Sequence, residues 1–257
     1  MISYVEFPAW LRPEIIPSLP IRWYGLMYLV AFGLTYFLFR YLSTKHRELN
    51  LEKDTVLNLF FWGIIGILVG GRIFSVLIYD STGFYMRHPL QIFFPFQRIN
   101  GALQFIGLQG MSYHGGLLGA ASTIIVYCRI KKIPVLKVTD LVAVSAPLGY
   151  TFGRLGNFIN GELYGRVTSW NWGVIFPHAT KYSTDQHWVQ ALSQSAGLPI
   201  DETSSMVNLP RFPSQLFEAF FEGVFLWFLL WFIFRKWRPF TGFLTVMYVI
   251  GYGFVRF

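Results

Sequence analysis

Apolar residues in this chain gather into long blocks instead of alternating with polar ones at strand or surface-helix spacing. Six blocks stand out, over residues 22–41, 56–79, 112–129, 139–160, 213–234 and 240–257. Each meets or approaches the roughly 20 apolar residues that a helix needs to cross a bilayer. The pattern predicts an all-α polytopic membrane protein with about six transmembrane helices visible. Two stretches between blocks differ from plain connections. Residues 80–110 mix Arg87, His88, Pro89, Pro95 and Arg98 with Phe93, Phe94, Phe96 and Phe105. Such mixing suits an interfacial arm with its rings at headgroup level, either giving lipid access or acting as an ordinary loop with aromatic anchors. Residues 161–212 are mixed and polar, without strong periodicity from Gln186 to Asn208, and too few for a large independent core. They read as a small external head inserted into a single membrane domain that covers 1–257.

Composition strengthens this picture, with 54% hydrophobic, 19% aromatic and only 13% charged residues, against about a quarter charged in soluble domains. The net charge of +8 is unevenly placed. Arg40, Lys45, Arg47 and Lys53 follow the first block, and Arg129, Lys131, Lys132 and Lys137 separate the third from the fourth. Arg235, Lys236 and Arg238 separate the fifth from the sixth. Short basic loops stay cytoplasmic, so the N-terminus and the head are expected outside. The basic excess is an orientation signal, and no nucleic-acid partner is expected. Residues 1–20 lack the basic start and small-residue cleavage site of a signal peptide and read as an external segment near the headgroups. Cys128 is the single cysteine, so no internal disulfide can form, and thiol chemistry would need a thiol on the substrate. The last block stops at Val255-Arg256-Phe257 without a polar flank, which reads as a truncated chain or a helix ending deep in the bilayer. No internal repeat of the transporter kind is present.

Against this apolar background, Arg72, His114, Asp140, Arg154, Glu162, Glu218, Glu222 and Arg256 lie in or at the ends of the blocks. Ionisable groups there are costly and usually face a bundle interior or an aqueous cavity. A structural salt bridge accounts for one or two of them more easily than for a set spread over five blocks. Glycines recur at three- and four-residue spacing: Gly63, Gly66 and Gly70 with Gly71; Gly115, Gly116 and Gly119; Gly149, Gly153 and Gly156. Close helix packing explains such spacing; exposure of backbone N–H groups to an anion is the other reading.

The densest polar run is Gly153-Arg154-Leu155-Gly156-Asn157-Phe158-Ile159-Asn160-Gly161-Glu162-Leu163-Tyr164-Gly165-Arg166. On a continued helix Arg154, Asn157 and Gly161 fall within about 60° of one another. That face offers a guanidinium, a carboxamide and room beside them. The planar fork of arginine suits phosphate, because it donates two parallel charge-assisted hydrogen bonds. Glu162 lies some 80° round from Arg154 on the same wheel, placed either to orient Arg154 or to accept from a substrate hydroxyl. Tyr113-His114-Gly115-Gly116-Leu117-Leu118-Gly119 opens the third block. Its histidine is either a hydrogen-bonded structural residue or a base suited to neutral pH. Arg211-Phe212-Pro213-Ser214-Gln215-Leu216-Phe217-Glu218-Ala219 reads as a normal helix start or as a further part of the site. The absence of HExxH and of paired Cys/His argues against a metal, and the absence of GxSxG against a serine lipase. No cofactor is expected.

Taken together, His114-Gly115-Gly116-Leu117, the 153–165 run and Pro213-Ser214-Gln215-Leu216 resemble the bacterial prolipoprotein diacylglyceryl transferases. The resemblance runs from Arg22-Trp23-Tyr24-Gly25-Leu26 to Arg256, and the G-R-x-x-N-F-x-N-x-E-x-x-G signature is its most specific part. It implies a seven-span protein of the bacterial inner membrane, the last span missing here. Its members move the diacylglyceryl group of phosphatidylglycerol onto the lipobox cysteine of a preprolipoprotein signal peptide; a thioether forms and glycerol phosphate leaves. Partners are thus phosphatidylglycerol, preprolipoproteins and membrane lipids. The resemblance implicates Tyr24, His114, Asp140, Arg154, Asn157, Asn160, Glu162, Gly165 and Arg256. In this reading His114 is the base, helped by Tyr24, and Arg154 and Arg256 hold the phosphate. Asn157 and Glu162 hold the glycerol headgroup and fix Arg154, and Asn160, Gly165 and Asp140 complete the substrate-binding set. Two positions depart from the family pattern. Phe212 stands where His or Tyr is common, and the acidic residues beyond Arg256 are absent, leaving Arg256 without an expected acidic partner. A transporter or flippase, with Arg72, Arg154 and Glu162 lining a pathway, is the competing class, followed by a non-catalytic lipid-binding protein.

Overall fold

The computed structural model describes residues 4–16, 22–46, 49, 51–99, 101–105, 110–199 and 205–256. Arg47 of the first basic loop, residues 200–204 of the head and Phe257 lie outside the described residues. All six apolar blocks are helical: α1 Trp23–Lys45, α2 Lys53–Tyr79, α4 Tyr113–Ile130, α5 Val135–Ile159, α7 Ser214–Lys236 and α8 Phe243–Arg256. Two shorter helices, α3 Phe84–Arg87 and α6 His187–Ala196, stand outside the blocks. Among the described residues, α1, α2, α5 and α7 are long and apolar enough to cross a membrane. Their outer faces carry exposed Leu29, Phe37, Phe61, Leu77 and Phe228, an arrangement that suits lipid and not water. The protein is an all-α polytopic membrane protein with little sheet.

The chain forms two compact units, one of residues 1–39 and 139–257, the other of residues 40–138. In the second unit α2 and α4 pack along facing glycines. A Cβ on Gly119 would overlap the Gly66 carbonyl, and one on Gly70 would overlap the Gly115 carbonyl. Close helix packing therefore accounts for these glycines. Ser112 caps α4 by accepting from the Gly115 N–H at 3.3 Å. The stretch after α2 forms α3, a 3-10 turn Pro89–Ile92 and a hairpin of β2 Phe96–Ile99 with β3 Ala102–Phe105. Arg72, 4% exposed, fastens this arm to α2. Its Nε–H donates to the Ile92 carbonyl at 2.5 Å, Nη1 to Gly110 at 3.2 Å, and its Cζ lies 4.7 Å from the Tyr85 ring centroid.

In the first unit α5 is the most enclosed span, and small residues decide what touches it. A Cβ on Gly149 would overlap Thr35 of α1, and one on Gly156 would press on Met27 and Tyr24. On the α7 side, Gly223 admits Thr151, whose hydroxyl donates to the Ala219 carbonyl at 3.2 Å. Gly251 of α8 admits Leu226 of α7. Pro147 lies inside α5, which membrane helices tolerate when neighbours satisfy the freed backbone. Through Ala219–Phe225 and Leu229–Ile233, α7 widens into π-helical turns, a feature frequent at functional sites.

The head is small and rests on the end of α5. β1 Val5–Glu6 pairs in parallel with β4 Val174–Ile175, tying the N-terminal segment to it. Phe7, Phe158 and Tyr164 pack around Val174, Phe176 and Ala179, and Phe158 belongs to the last turn of α5. The stretch from Gln186, read as lacking periodicity, contains α6. Its buried face is Val189, Ser193 and Ala196, at i, i+4 and i+7; the serine in the middle position obscured the stripe. β5 Tyr182–Ser183 pairs with β6 Met206–Val207.

Close packing of α2 on α4 yields a prediction. Gly119→Ala should destabilise the protein by about 1–3 kcal/mol, the usual cost of overpacking, seen as a lower melting temperature in detergent. An unchanged melt would contradict the packing described.

Candidate functional site

Arg154 lies in the penultimate turn of α5, one helical turn after Tyr150 and Thr151. Because Gly223 lets Thr151 sit against α7, this face of α5 meets Glu218 and Glu222. Arg154 Nε–H donates to the Tyr150 hydroxyl at 2.6 Å, and that hydroxyl donates to Glu222 Oε2 at 2.5 Å. Glu218 Oε2 lies 2.8 Å from the same Nε. It accepts no hydrogen bond, since the single N–H is directed to Tyr150. Arg256, near the end of α8, reaches Glu218 Oε1 at 2.9 Å and Glu222 Oε1 at 3.4 Å. Two arginines and two glutamates thus close a ring, with Tyr150 bridging Arg154 to Glu222. Glu222 is 2% exposed, a burial a carboxylate tolerates only with cationic and hydrogen-bonding partners. The expectation that Arg256 lacks an acidic partner is corrected: α7 supplies two, one turn apart.

With Nε turned inward, the Arg154 terminal nitrogens Nη1 and Nη2 donate to no described protein group, and the side chain is 14% exposed. A forked pair of donors is therefore left for an anion beside a ring whose own formal charges cancel.

A second cluster sits at the end of α5. The helix closes by a Schellman motif: Gly161, with φ of 65°, donates its N–H to the Phe158 carbonyl at 2.9 Å, and Glu162 donates to Asn157 at 3.0 Å. Gly161 is thus a left-handed terminator beyond the helix, not a gap on the Arg154 face, because L residues with a Cβ resist that conformation. The reversal swings Glu162 back over the helix end. Its Oε1 accepts from Asn157 Nδ2 at 3.0 Å and from Asn160 Nδ2 at 3.4 Å. Glu162 therefore orients the two asparagines, while Tyr150 and Glu218 orient Arg154. Tyr24 of α1 faces Asn157, and its hydroxyl lies 2.9 Å from that of Tyr28.

The start of α7 is clasped to this turn. Gln215, fully buried, donates Nε2–H to the Glu162 carbonyl at 2.6 Å, and the Ser214 hydroxyl donates to Leu163 at 3.2 Å. Gly165 donates its N–H to the Phe212 carbonyl at 2.9 Å, and a Cβ there would come within 3.0 Å of Phe212. Gly165 thus sets the approach of two backbone segments, and Phe212 contributes packing against Trp170. Arg211 is buried between the Tyr164 and Tyr182 rings, at 4.8 Å and 5.5 Å, within the head.

Of the residues singled out from the sequence, Arg154 and Arg256 share the ionic ring, Tyr24, Asn157, Asn160 and Glu162 share the second cluster, and Gly165 lies in the clasp beside it, all within the first unit. Asp140 stands apart. It lies fourteen residues before Arg154 on α5, about 21 Å along the axis at 1.5 Å per residue. Its Oδ2 accepts from the Gly242 N–H at 2.8 Å, and Oδ1 from the Thr245 N–H and hydroxyl, each at 2.9 Å. Asp140 therefore caps α8 from outside its sequence instead of lining the Arg154 cluster. His114 belongs to the second unit, exposed in the first turn of α4 with its ring 5.8 Å from that of Tyr113. Tyr150 was not singled out from the sequence, although its place four residues before Arg154 is the available signal.

Apolar helices of spanning length, with an ionic ring shared by α5, α7 and α8, define a polytopic membrane protein. The chain belongs to the prolipoprotein diacylglyceryl transferase family, whose profile matches residues 13–257. It is 50% identical to a phosphatidylglycerol–prolipoprotein diacylglyceryl transferase of Treponema denticola, over all of this chain and 79% of the relative. Identity to the protein of that name from Treponema pallidum is 45%, over all of this chain and 80% of the relative. For the Chlorobaculum tepidum protein of that name it is 41%, over 98% of this chain and 78% of the relative.

The cap on α8 is directly testable. Asp140→Ala should cost about 0.5–2 kcal/mol of stability, the range for a lost N-cap, whereas Asp140→Asn, which keeps an acceptor, should cost less. Equal melting temperatures for wild type and Asp140→Ala would contradict the capping role.

Proposed function

We propose that this chain transfers the diacylglyceryl group of phosphatidylglycerol to the lipobox cysteine thiol of a preprolipoprotein in the bacterial inner membrane. The observation that carries this reading is the Arg154 fork, held from behind by Tyr150 and Glu218 and without an acceptor of its own among the described residues. A phosphodiester anion fits that fork, and the family's substrate carries one. The sulfur attacks the glyceryl carbon bearing the phosphate oxygen; the C–S bond forms as the C–O bond breaks. The electron pair of that C–O bond leaves on the phosphate as glycerol phosphate, which gains one negative charge. Arg154, with Arg256 behind the shared glutamates, stabilises that growing charge in a low-dielectric setting, where such donors act most strongly. No acyl ester is broken.

A cysteine thiol ionises near pH 8.5, so attack requires a base to take its proton. His114 is assigned that role on the chemistry of its imidazole and on its exposed position at the start of α4. Asn157 and Asn160, oriented by Glu162, and Tyr24 beside them, are assigned to the glycerol headgroup. The basic loops 129–137 and 235–238 support a cytoplasmic side there, with the N-terminal segment and the 161–212 head on the outer face. The 80–110 arm, fastened by Arg72, is assigned to the membrane interface. Asp140 serves the site through α8.

The test is purified protein in bilayers containing phosphatidylglycerol, incubated with a lipobox peptide and read by mass spectrometry. A diacylglyceryl mass gain on the cysteine is expected; a folded protein that never adds it contradicts the reading. Arg154→Ala should lower the rate by about 10²–10³-fold, the scale for losing a charge-stabilising donor, while the protein remains extractable and folded. His114→Gln should lower the rate more than phosphatidylglycerol binding; lost binding with unchanged turnover of bound lipid would make His114 a headgroup ligand.

A further inference from the structure

The residue that decides the geometry of the Arg154 fork is Tyr150, which neither the family signature nor its charge brings to notice. Arginine has five N–H donors, and where the single Nε–H points determines where the terminal pairs aim. Two acceptors compete for it. Glu218 Oε2 is a full negative charge 2.8 Å away, and the neutral Tyr150 hydroxyl lies at 2.6 Å. Tyr150 wins the hydrogen bond, and Glu218 Oε2 is left with a charge contact alone. The same hydroxyl donates its own O–H to Glu222 Oε2, so it accepts on one side and donates on the other. Its ring also underlies the guanidinium, with Cζ 4.9 Å from the centroid, and is itself braced edge-on by Tyr252 at 6.3 Å. The ring fixes the tilt of the guanidinium, and the hydroxyl fixes its in-plane rotation.

We infer that Tyr150 is a positioning residue for the transfer reaction: it holds the Arg154 Nε–H away from Glu218 so that Nη1 and Nη2 face the phosphate. Without the hydroxyl, the Nε–H turns to Glu218 Oε2, the fork rotates toward α7, and Glu222 Oε2 loses its donor in a buried place. The inference rests on the diacylglyceryl-transfer reading for its assay, and the two fail differently. Wild type inactive toward the lipobox peptide removes the reading; an active wild type matched by a Tyr150 variant removes only the inference.

Tyr150→Phe keeps the ring and deletes the hydroxyl. In phosphatidylglycerol bilayers its kcat should fall roughly 10- to 100-fold, the worth of a hydrogen bond to a charged group. KM should move by less than about threefold, because the loss falls on the transition state. In an Arg154→Lys background, which lacks the fork, Tyr150→Phe should cost less than about threefold further. Wild-type kcat in Tyr150→Phe overturns the inference, and so does an undiminished further loss in the Arg154→Lys background, which marks a merely structural role. If Tyr150→Phe does not fold, 3-fluorotyrosine at position 150 keeps ring and hydroxyl but weakens the oxygen as an acceptor. Its kcat should fall at least about threefold at constant KM; an unchanged kcat overturns the inference.

Discussion

The first unit is organised around mutual neutralisation of charges that its apolar surroundings would not tolerate singly. Arg154 and Arg256 on one side, and Glu218 and Glu222 on the other, come from three different helices. Removing one member of such a set leaves an uncompensated charge, which in a buried pair costs several kcal/mol. The ring therefore demands a fixed relation between α5, α7 and α8. That relation is built from small residues, with Gly223 receiving Thr151 and Gly251 receiving Leu226. It is reinforced at the far end, where Asp140 of α5 caps α8. Packing and electrostatics reinforce one another: the glycines allow the approach, and the ion pairs reward it.

The ring also separates two tasks that one arginine would otherwise have to combine. The Nε side of Arg154 belongs to the protein, bound to Tyr150 and pressed by Glu218, while the terminal nitrogens are left over. An anion-binding group in a membrane needs this division, because an arginine fully satisfied by glutamates has nothing to offer a phosphate. The Schellman turn at 158–162 makes a similar division nearby. Its left-handed Gly161 folds Glu162 over the helix end, where it holds Asn157 and Asn160. The clasp of Gln215 and Ser214 onto the same turn then carries the geometry to the first turn of α7, one step before Glu218.

Much of this was legible in the sequence because a bilayer makes its rules stringent. The six blocks became helices, and the ionisable residues within them converged where they could. The 153–165 run and the re-entry at Pro213 proved to be neighbours. What escaped the sequence were directions and pairings. Gly161 reads on a helical wheel as space beside Arg154, but the chain leaves the helix at Ile159, and the wheel no longer applies to Gly161 or Glu162. Asp140 reads as a site residue from its charge in a span and from the family resemblance, yet donors of Gly242 and Thr245 at the start of α8 occupy its oxygens. Arg256 finds its acids on α7, more than thirty residues earlier in the chain, a pairing that only the packing of α8 on α7 creates. Tyr150 and the buried face of α6 share one cause: a polar atom in a mostly apolar setting acquires meaning only when its partner is known.

An Arg154 fork that holds the phosphate of the lipid brings guanidinium nitrogen and phosphorus into close contact. Solid-state NMR that recouples ³¹P of phosphatidylglycerol to ¹⁵N of arginine side chains, with Arg154→Lys as the assignment control, measures that contact directly. Strong dephasing of terminal guanidinium nitrogens is expected, and it should disappear in Arg154→Lys. Dephasing that survives the substitution unchanged, or none in an active wild-type sample, would contradict that contact.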